Sequence, residues 1–229
     1  MKDIGITILS LLKGGNFMFT GIIEEIGKVA QIKKLTDGRE MTITAHAILS
    51  KIMVRDSVAV DGVCLTLVRK SPQDFTVQAV GETLKKTTLG EYSIGRKVNL
   101  ETSLTLQSLV GGHLVLGHVN RTAKIRRWER RGENYYLEIT LPEDLLRYCI
   151  TEGSIAIDGI SLTIARLESA EVGISVIPYT VENTNLREKR TGDTVNIEID
   201  VIPRYLEKLL PKAGTGSLTV DQLKKWGYE

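Results

Sequence analysis

Two short segments of the chain place small polar side chains where they could bind a ligand. In VAVDGVCLTL, Cys64 and Thr66 stand two residues apart, and in IAIDGISLTI, Ser161 and Thr163 do the same. In a β-strand, side chains two residues apart leave the same face. A thiol and hydroxyls on one face can exchange hydrogen bonds with the oxygen and nitrogen atoms of a ring edge. On the residue types alone, small side chains packed in a crowded barrel interior are the favoured alternative.

The two segments belong to an internal repeat. Asp61 and Asp158 are 97 residues apart, and the same offset aligns ETLKKTTLG with YTVENTNLR and GRKVNLE with GDTVNIE. An offset of 96 aligns FTGIIEEIGKV with VLGHVNRTAKI, where Gly21 matches Gly117. Self-similarity at a fixed period indicates one structural module built twice. Two copies of this module account for most of the chain.

Each module has the pattern of a small all-β domain. FTVQAV, KVNLET, YYLEITL, VGISVI and TVNIEIDV are short, rich in β-branched residues, and separated by Gly, Asn, Asp or Pro. Short strands at intervals of about ten residues favour a sandwich or a closed barrel. The repeated Asp-Gly suits a tight turn or a bulge.

Helical patterns are confined to three places. PEDLLRYCI, residues 142–150, is the first, and SLTVDQLKKW, residues 217–226, is the last. Between them, PRYLEKLL follows Asp200, and Pro203 suits the first turn of a helix with an apolar leucine stripe. A helix this short needs a partner, so we expect it to pack against the barrels or against its own copies in an oligomer.

Charge and cysteine content exclude several classes of partner. Thirty basic and 28 acidic residues leave a formal charge of +2, so no strong field favours nucleic acid or an anionic membrane. No apolar run reaches the ~18 residues of a membrane span, and the apolar stretch 4–12 lacks the cleavage site of a signal peptide. Cys64 and Cys149 have no metal-ligand or CxxC spacing. We expect reduced thiols in a cytoplasmic protein that binds a small molecule.

Six motifs taken together resemble riboflavin synthase of the trimeric, α-subunit type. They are MFTGIIEEIG from Met18, GVCLTL from Gly62, ETLKKTTLG from Glu82, GGHLVLGHV from Gly111, IDGISLTI from Ile157 and VNIEID from Val195. The resemblance implies an all-β fold of two tandem six-stranded Greek-key β-barrels with a short C-terminal α-helix. The expected divisions are an N-terminal extension at 1–17, lumazine-binding barrels at 18–104 and 105–202, and a helical segment for trimer assembly at 203–229.

The resemblance also implies a reaction, the final step of riboflavin biosynthesis. Two molecules of 6,7-dimethyl-8-ribityllumazine dismutate, and one donates a four-carbon unit to the other. The products are riboflavin and 5-amino-6-ribitylaminouracil, and neither a metal nor an organic cofactor is implied. A homotrimer is implied, and whether it associates with lumazine synthase is left open. Because the reaction joins two copies of one substrate, we interpret the repeated DGxxLT as one ligand site built twice, and the ligand-binding interpretation then outweighs simple packing.

Site residues follow from the positions that match the family motifs. The resemblance implies His118, Ser161, Cys64 and Asp158 as catalytic residues, with Asp158 either orienting Ser161 or His118 or serving only as a turn residue. His113 also matches, although a histidine in a glycine-rich loop can simply bind the backbone. The pocket walls are expected to be Gly21, Ile22 and Ile23 in the first copy and Gly117, His118 and Val119 in the second. The other implied substrate contacts are Phe19, Thr20, Leu65, Thr66, Gly81, Glu82, Thr83, Leu162, Thr163, Ile177, Pro178 and Thr180.

Two other functions fit parts of the sequence. Lumazine-binding antenna proteins keep the double barrel and bind one chromophore without turnover, but they tend to lose pocket residues in one half, whereas both copies keep them here. A flavin-dependent oxidoreductase would need a nucleotide-binding domain with a glycine-rich phosphate loop, which the sequence lacks. Two departures from the family pattern fall in the second copy, since Leu116 stands where serine is common and Glu152 where lysine is common.

Overall fold

Two closed antiparallel barrels make up the computed structural model, which describes residues 18–210. In the first barrel the neighbouring strands are in the order β1-β2-β5-β4-β3-β6. Because β2 pairs with β5 and β6 closes onto β1, the connections have the Greek-key character that was predicted. The strands are β1 Glu25–Leu35, β2 Gly38–Thr44, β3 Ser57–Val60, β4 Val63–Lys70, β5 Asp74–Val80 and β6 Lys97–Thr102.

The second barrel repeats the first strand by strand. Its order is β7-β8-β11-β10-β9-β12, closed between β12 and β7. The predicted fold class, two tandem six-stranded barrels, is therefore confirmed. The strands are β7 Arg121–Arg131, β8 Asn134–Thr140, β9 Ser154–Ile157, β10 Ile160–Glu168, β11 Glu171–Val176 and β12 Thr194–Ile199.

The Asp-Gly pairs are two-residue hairpin loops. Asp61 and Gly62 join β3 to β4 with φ of 45° and 74°, and Asp158 and Gly159 join β9 to β10 with φ of 45° and 79°. Positive φ at both loop residues is what a twisted two-residue hairpin requires, and Asp-Gly tolerates it. Alternation along β4 then sends Leu65 and Leu67 into the barrel and Cys64 and Thr66 outward. The alternative in which these small side chains fill the barrel interior is therefore excluded for Cys64 and Thr66.

Helices occupy little of the described chain. They are α1 Gly81–Lys86, α2 Glu143–Leu146, α3 Pro178–Glu182 and α4 Val201–Leu209, with 3-10 turns at Ile48–Ser50, Thr88–Glu91 and Asn185–Glu188. The predicted helix in PEDLLRYCI is the single turn α2. The Asp200 carboxylate caps α4 by accepting the Ile202 amide at 2.9 Å. The predicted extension 1–17 and the predicted helix at 217–226 lie outside the described residues.

Each barrel has its own apolar core, and a small third cluster joins them. Phe19, Ala59, Val115 and Ala156 form this cluster, and Phe19 and Val115 exchange backbone hydrogen bonds of 2.7 and 3.0 Å. Across the described residues, no helix is long and apolar enough to cross a membrane. The same part of the chain contains no group of three His, Cys, Asp or Glu side chains able to hold a metal ion.

Candidate active site

A segment that leads into the first barrel lies against the second. The first crossing segment, residues 18–23, precedes β1. The backbone amide of Ser161, in β10 of the second barrel, donates to the carbonyl of Gly21 at 2.8 Å. Ile23 packs against the core of the second barrel. The wall of the second barrel beside Ser161 is therefore supplied by residues that precede the first barrel.

The reciprocal contact is made by the second crossing segment, residues 114–119, which precedes β7. The amide of Cys64, in β4 of the first barrel, donates to the carbonyl of Gly117 at 2.9 Å. Val119 packs against the core of the first barrel. Each barrel is thus completed by a segment that belongs to the other module.

Glycine is required where each crossing segment meets its strand. Gly21 and Gly117 have φ of +75° and +74°, a conformation that costs little only for glycine. A Cβ on Gly21 would lie 2.7 Å from Cβ and N of Ser161, and a Cβ on Gly117 would lie 2.5 Å from Cβ of Cys64. Any larger residue would push the segments away from the two barrels.

The first candidate binding site, the Cys64 pocket, is a cavity of about 240 Å³ between β4, α1 and the second crossing segment. Because that segment lies on the first barrel, His118 shares a pocket with Cys64 rather than with Ser161. The expectation that the 117–119 positions line a pocket of their own copy is therefore wrong. The lining residues are Val63, Cys64, Glu82, Thr83, Lys86, Thr87, Gly117, His118 and Val119.

The second candidate site is defined by its equivalence to the first, since Ser161 meets Gly21 as Cys64 meets Gly117, and we call it the Ser161 pocket. It contains a hydroxyl paired with an imidazole. Oγ of Ser161 and Nδ1 of His113 are 2.7 Å apart. The His113 amide donates to the Thr20 carbonyl at 3.1 Å, which fixes the ring to the first crossing segment. Since α3 follows β11 as α1 follows β5, Thr180 takes the place that Thr83 has in the first module.

Burial favours the neutral forms of Cys64 and His113. Burial raises the pKa of the Cys64 thiol, with the nearby Glu198 carboxylate acting in the same direction and a hydrogen bond with Ser57 opposing it. Burial lowers the pKa of His113, and the more distant charge of Asp200 only partly offsets this. A neutral thiol serves as a weak hydrogen-bond donor, and a neutral imidazole can accept a proton from a hydroxyl.

Two glutamates hold the crossing segments in place, although no role was expected for them from the sequence. One oxygen of Glu101 accepts the Thr20 amide at 2.6 Å and the Thr20 hydroxyl at 2.7 Å, and the other accepts the Gly21 amide at 3.0 Å. At the equivalent position of the second module, Glu198 accepts the Leu116 amide at 2.7 Å. The match of NLE with NIE in the repeat was the available indication, because it puts an acidic side chain at the same strand position of both modules, and a buried carboxylate needs hydrogen-bond donors.

Asp158 lies away from both pockets. Its carboxylate accepts the Asn196 amide at 2.7 Å and the Asn185 side-chain amide at 2.9 Å, and it pairs with Lys189 at 2.6 Å. The structure brings it to neither Ser161 nor His118. Of the two alternatives for Asp158, the orientation of Ser161 or His118 is wrong and the turn residue remains, because the Asp-Gly turn places the carboxylate between the barrels.

Asp61, its counterpart, lies in the same buried network. The Asn185 side-chain amide donates to Asp61 at 3.0 Å, and the Tyr92 hydroxyl also donates to it. Burial is the main cause that raises the pKa of Asp61 to about 7, and the charge of Asp158 adds to it. Two buried carboxylates therefore face each other across the interface with one ammonium group, that of Lys189, beside them.

Several other predicted contacts are core residues. Phe19, Leu65 and Leu162 are buried in the apolar clusters, so their side chains do not face a pocket. The Thr20 hydroxyl is directed at Glu101. Exposed or half-exposed positions remain available to a ligand at Ile22, Thr66, Gly81, Glu82, Thr83, Thr163, Ile177, Pro178 and Thr180.

Comparison with protein families matches both modules. A family model described as the lumazine binding domain matches residues 20–103 and 116–200. The riboflavin synthase of Actinobacillus pleuropneumoniae is 40% identical over 215 residues, which cover 92% of this chain and 100% of that protein. The riboflavin synthase of Bacillus subtilis (strain 168) is 41% identical over 196 residues, covering 86% and 91%.

Solved structures show the same arrangement of the chain. LumP complexed with 6,7-dimethyl-8-(1'-D-ribityl)lumazine superposes with a TM-score of 0.71 at 28% identity, and the match covers 79% of this chain and 98% of that one. LumP complexed with riboflavin gives a TM-score of 0.73 with the same identity and coverage. In these two structures LumP is complexed with the ribityllumazine in one and with riboflavin in the other.

Proposed function

The chain belongs to the riboflavin synthase family, and on this premise we propose how its two pockets carry out the family's reaction. The protein is an enzyme that converts two molecules of 6,7-dimethyl-8-ribityllumazine into riboflavin and 5-amino-6-ribitylaminouracil. The reaction needs no oxidant or reductant, because the four carbons gained by one substrate are those lost by the other. It does need two substrate molecules held together.

The observation that carries this proposal is the pair of crossed pockets. Cys64 with Gly117, and Ser161 with Gly21, repeat one backbone arrangement at 2.9 and 2.8 Å. Two sites of the same design fit two molecules of the same ligand. Holding both reactants in fixed orientation turns a bimolecular encounter into a step within one complex, which lowers the entropic part of the barrier.

The two pockets carry different reactive side chains, and the two substrate molecules undergo different steps. In our proposal the acceptor lies in the Ser161 pocket, where neutral His113 takes the hydroxyl proton as Ser161, or a water bound to it, adds to the acceptor ring. The donor lies in the Cys64 pocket, where His118 takes a proton from the 7-methyl group. The resulting carbanion, delocalised into the donor ring, attacks the acceptor.

Assembly is part of the proposal because the apolar face of α4 is exposed in the part of the chain that the structure describes, residues 18–210. Ile202, Tyr205, Leu206 and Leu209 are all half or more exposed in the single chain. An amphipathic helix this short is stabilised chiefly by packing. We therefore propose that α4 joins three chains into a homotrimer, and that the Cys64 pocket of one chain faces the Ser161 pocket of its neighbour.

The cellular setting is proposed from the same residues. Cys64 and Cys149 are both free thiols, which suits a reducing compartment. We place the enzyme in the cytoplasm, where association with a lumazine synthase would deliver its substrate directly.

The test is riboflavin formation from a single substrate. Purified protein is incubated with 6,7-dimethyl-8-ribityllumazine alone, and riboflavin is followed by its absorbance and fluorescence. Steady formation of riboflavin supports catalysis. A protein that binds the lumazine and brightens its fluorescence, but forms no riboflavin over hours, would be a binding protein of the antenna kind.

A further inference from the structure

The two crossing segments are held by their glutamates in unequal ways. Glu101 receives three hydrogen bonds from the first crossing segment, and one of them comes from the Thr20 hydroxyl. Leu116, the counterpart of Thr20 at an offset of 96 residues, has no hydroxyl to offer Glu198. Among the described residues, the buried Oε2 of Glu198 has no hydrogen-bond partner.

The Thr20 hydroxyl has a second task that Leu116 cannot perform. It accepts the backbone amide of Ile22 at 3.2 Å. The counterpart of Ile22 is His118, whose amide, with that of Gly117, lies by the carboxylate of Glu198. In the first segment the backbone amides are accepted by a hydroxyl and a carboxylate together. In the second segment the Glu198 carboxylate alone faces the amides of residues 116, 117 and 118.

We propose that Glu198 is the positioning residue for His118, and that Leu116 makes the second crossing segment depend on the Glu198 carboxylate alone. This inference rests on the proposed function, in which His118 acts on the donor substrate. Glu198 touches no reacting atom. It acts by fixing the backbone from which the imidazole projects into the Cys64 pocket.

Because Leu116 lacks a hydroxyl, the position of the second crossing segment should depend on the pH. Burial raises the pKa of Glu198 to about 7, while the amides of residues 116–118 and the guanidinium of Arg204 on α4 pull it down. The other group facing this carboxylate is the Cys64 thiol on β4. Protonation converts a charged acceptor into a weaker neutral one, so the segment should loosen, and turnover should fall, as the pH drops through about 7.

The test compares Leu116→Thr with Leu116→Val, which have nearly the same shape and differ in the hydroxyl. A threonine at 116 can donate to Glu198 as Thr20 donates to Glu101, and a donor to the ionised form lowers the pKa. kcat and KM for riboflavin formation are measured from about pH 5 to 9. We expect the acidic limb of kcat to move about one unit lower in Leu116→Thr, and to stay at the wild-type position in Leu116→Val.

A third variant and a second readout complete the experiment. Glu198→Gln, which cannot ionise, should remove the part of the acidic limb that comes from Glu198 and leave the part that comes from the histidine bases, and it should lower kcat about tenfold with a smaller change in KM. Lumazine affinity is also measured at each pH by fluorescence titration, because it reports on the position of the second crossing segment without requiring turnover. If wild-type protein forms no riboflavin, the proposed function is refuted, and the affinity profiles still test the inference. The inference is overturned if the Thr and Val variants coincide in both their kcat limbs and their affinity profiles.

Discussion

Gly21 accepts a backbone hydrogen bond from Ser161 at 2.8 Å, although the two residues belong to different modules. Gly117 and Cys64 make the equivalent hydrogen bond at 2.9 Å. Because of these two bonds, each pocket is formed by residues of both modules. Neither module could form a complete site alone. The tandem arrangement therefore has a structural role beyond doubling the number of ligand sites.

Gly117→Ala should disable the Cys64 pocket. The new Cβ would meet Cβ and N of Cys64 at 2.5 and 2.7 Å, and backbone atoms cannot move aside cheaply. We expect lumazine affinity at this pocket to fall by tenfold or more, on the order of 1.4 kcal/mol. Gly132→Ala is the control, because Gly132 also has a positive φ of +62° but nothing within 4 Å. Equal affinity losses in the two variants would show that backbone strain, not the crossing contact, is responsible.

Asp61→Asn should make the free energy of unfolding less dependent on pH. The folded-state pKa of Asp61 is raised to about 7, so the folded protein binds this proton more tightly than the unfolded chain does. Its stabilising contribution is complete below about pH 4 and is lost as the pH rises to about 7. An uncharged amide removes that loss and should stabilise the protein at pH 8 by on the order of 1 kcal/mol. Urea unfolding at several pH values measures it.

Asp158→Asn provides the contrast within the same network. It leaves the buried Lys189 ammonium without its carboxylate, which is 2.6 Å away in the native protein. Removing one partner of a buried ion pair costs about 3–5 kcal/mol. If both variants destabilised the protein equally at pH 8, the assignment of the raised pKa to Asp61 would be wrong.

Mixing two inactive variants should restore activity only when the two substitutions lie in different pockets, whichever module they belong to. Cys64→Ala and His118→Ala both damage the Cys64 pocket, whereas Ser161→Ala damages the other. If the active site lies between chains, mixed oligomers of Cys64→Ala and Ser161→Ala should regain activity, since some interfaces combine two intact pockets. Mixtures of Cys64→Ala and His118→Ala should not. Recovery in the second mixture would contradict the crossed arrangement.

Charges placed on the exposed face of α4 should weaken the proposed trimer. Leu206 and Leu209 are 52% and 77% exposed in the single chain, so Leu206→Lys with Leu209→Lys should leave each barrel folded. In the assembly these side chains would be buried, and unpaired charges there are costly. Sedimentation should show smaller species than the wild type, and Lys208→Glu on the same helix is the control. An unchanged mass would remove α4 from the interface.

Much of the fold was readable from the sequence because its determinants are local or repeated. The Asp-Gly turns at 61 and 158 follow from residue type, and the strands follow from β-branched alternation. The crossing of the two segments was not readable. It depends on which barrel Gly21 and Gly117 contact, and nothing near them in the sequence specifies that.

The same limit explains the errors in the site. His118 was assigned to its own module because the repeat aligns it there, whereas tertiary structure moves it to Cys64. For Asp158 the sequence left two roles open, a turn residue or a group that orients Ser161 or His118. Burial at the interface decides its role, and burial of a carboxylate is not visible in a motif.

The most direct test of the account is the stoichiometry of one reaction with the two pockets impaired in turn. Wild-type protein is given 6,7-dimethyl-8-ribityllumazine in the presence of a chelator, and substrate consumed and riboflavin formed are quantified together. We expect two substrate molecules to be consumed for each riboflavin. Turnover should be nearly lost in the double variant Cys64→Ala with His118→Ala and in the double variant Ser161→Ala with His113→Ala. Each double variant should still bind lumazine at its intact pocket. Wild-type turnover at any other ratio, or full turnover by either double variant, would contradict the claim that one reaction requires both pockets.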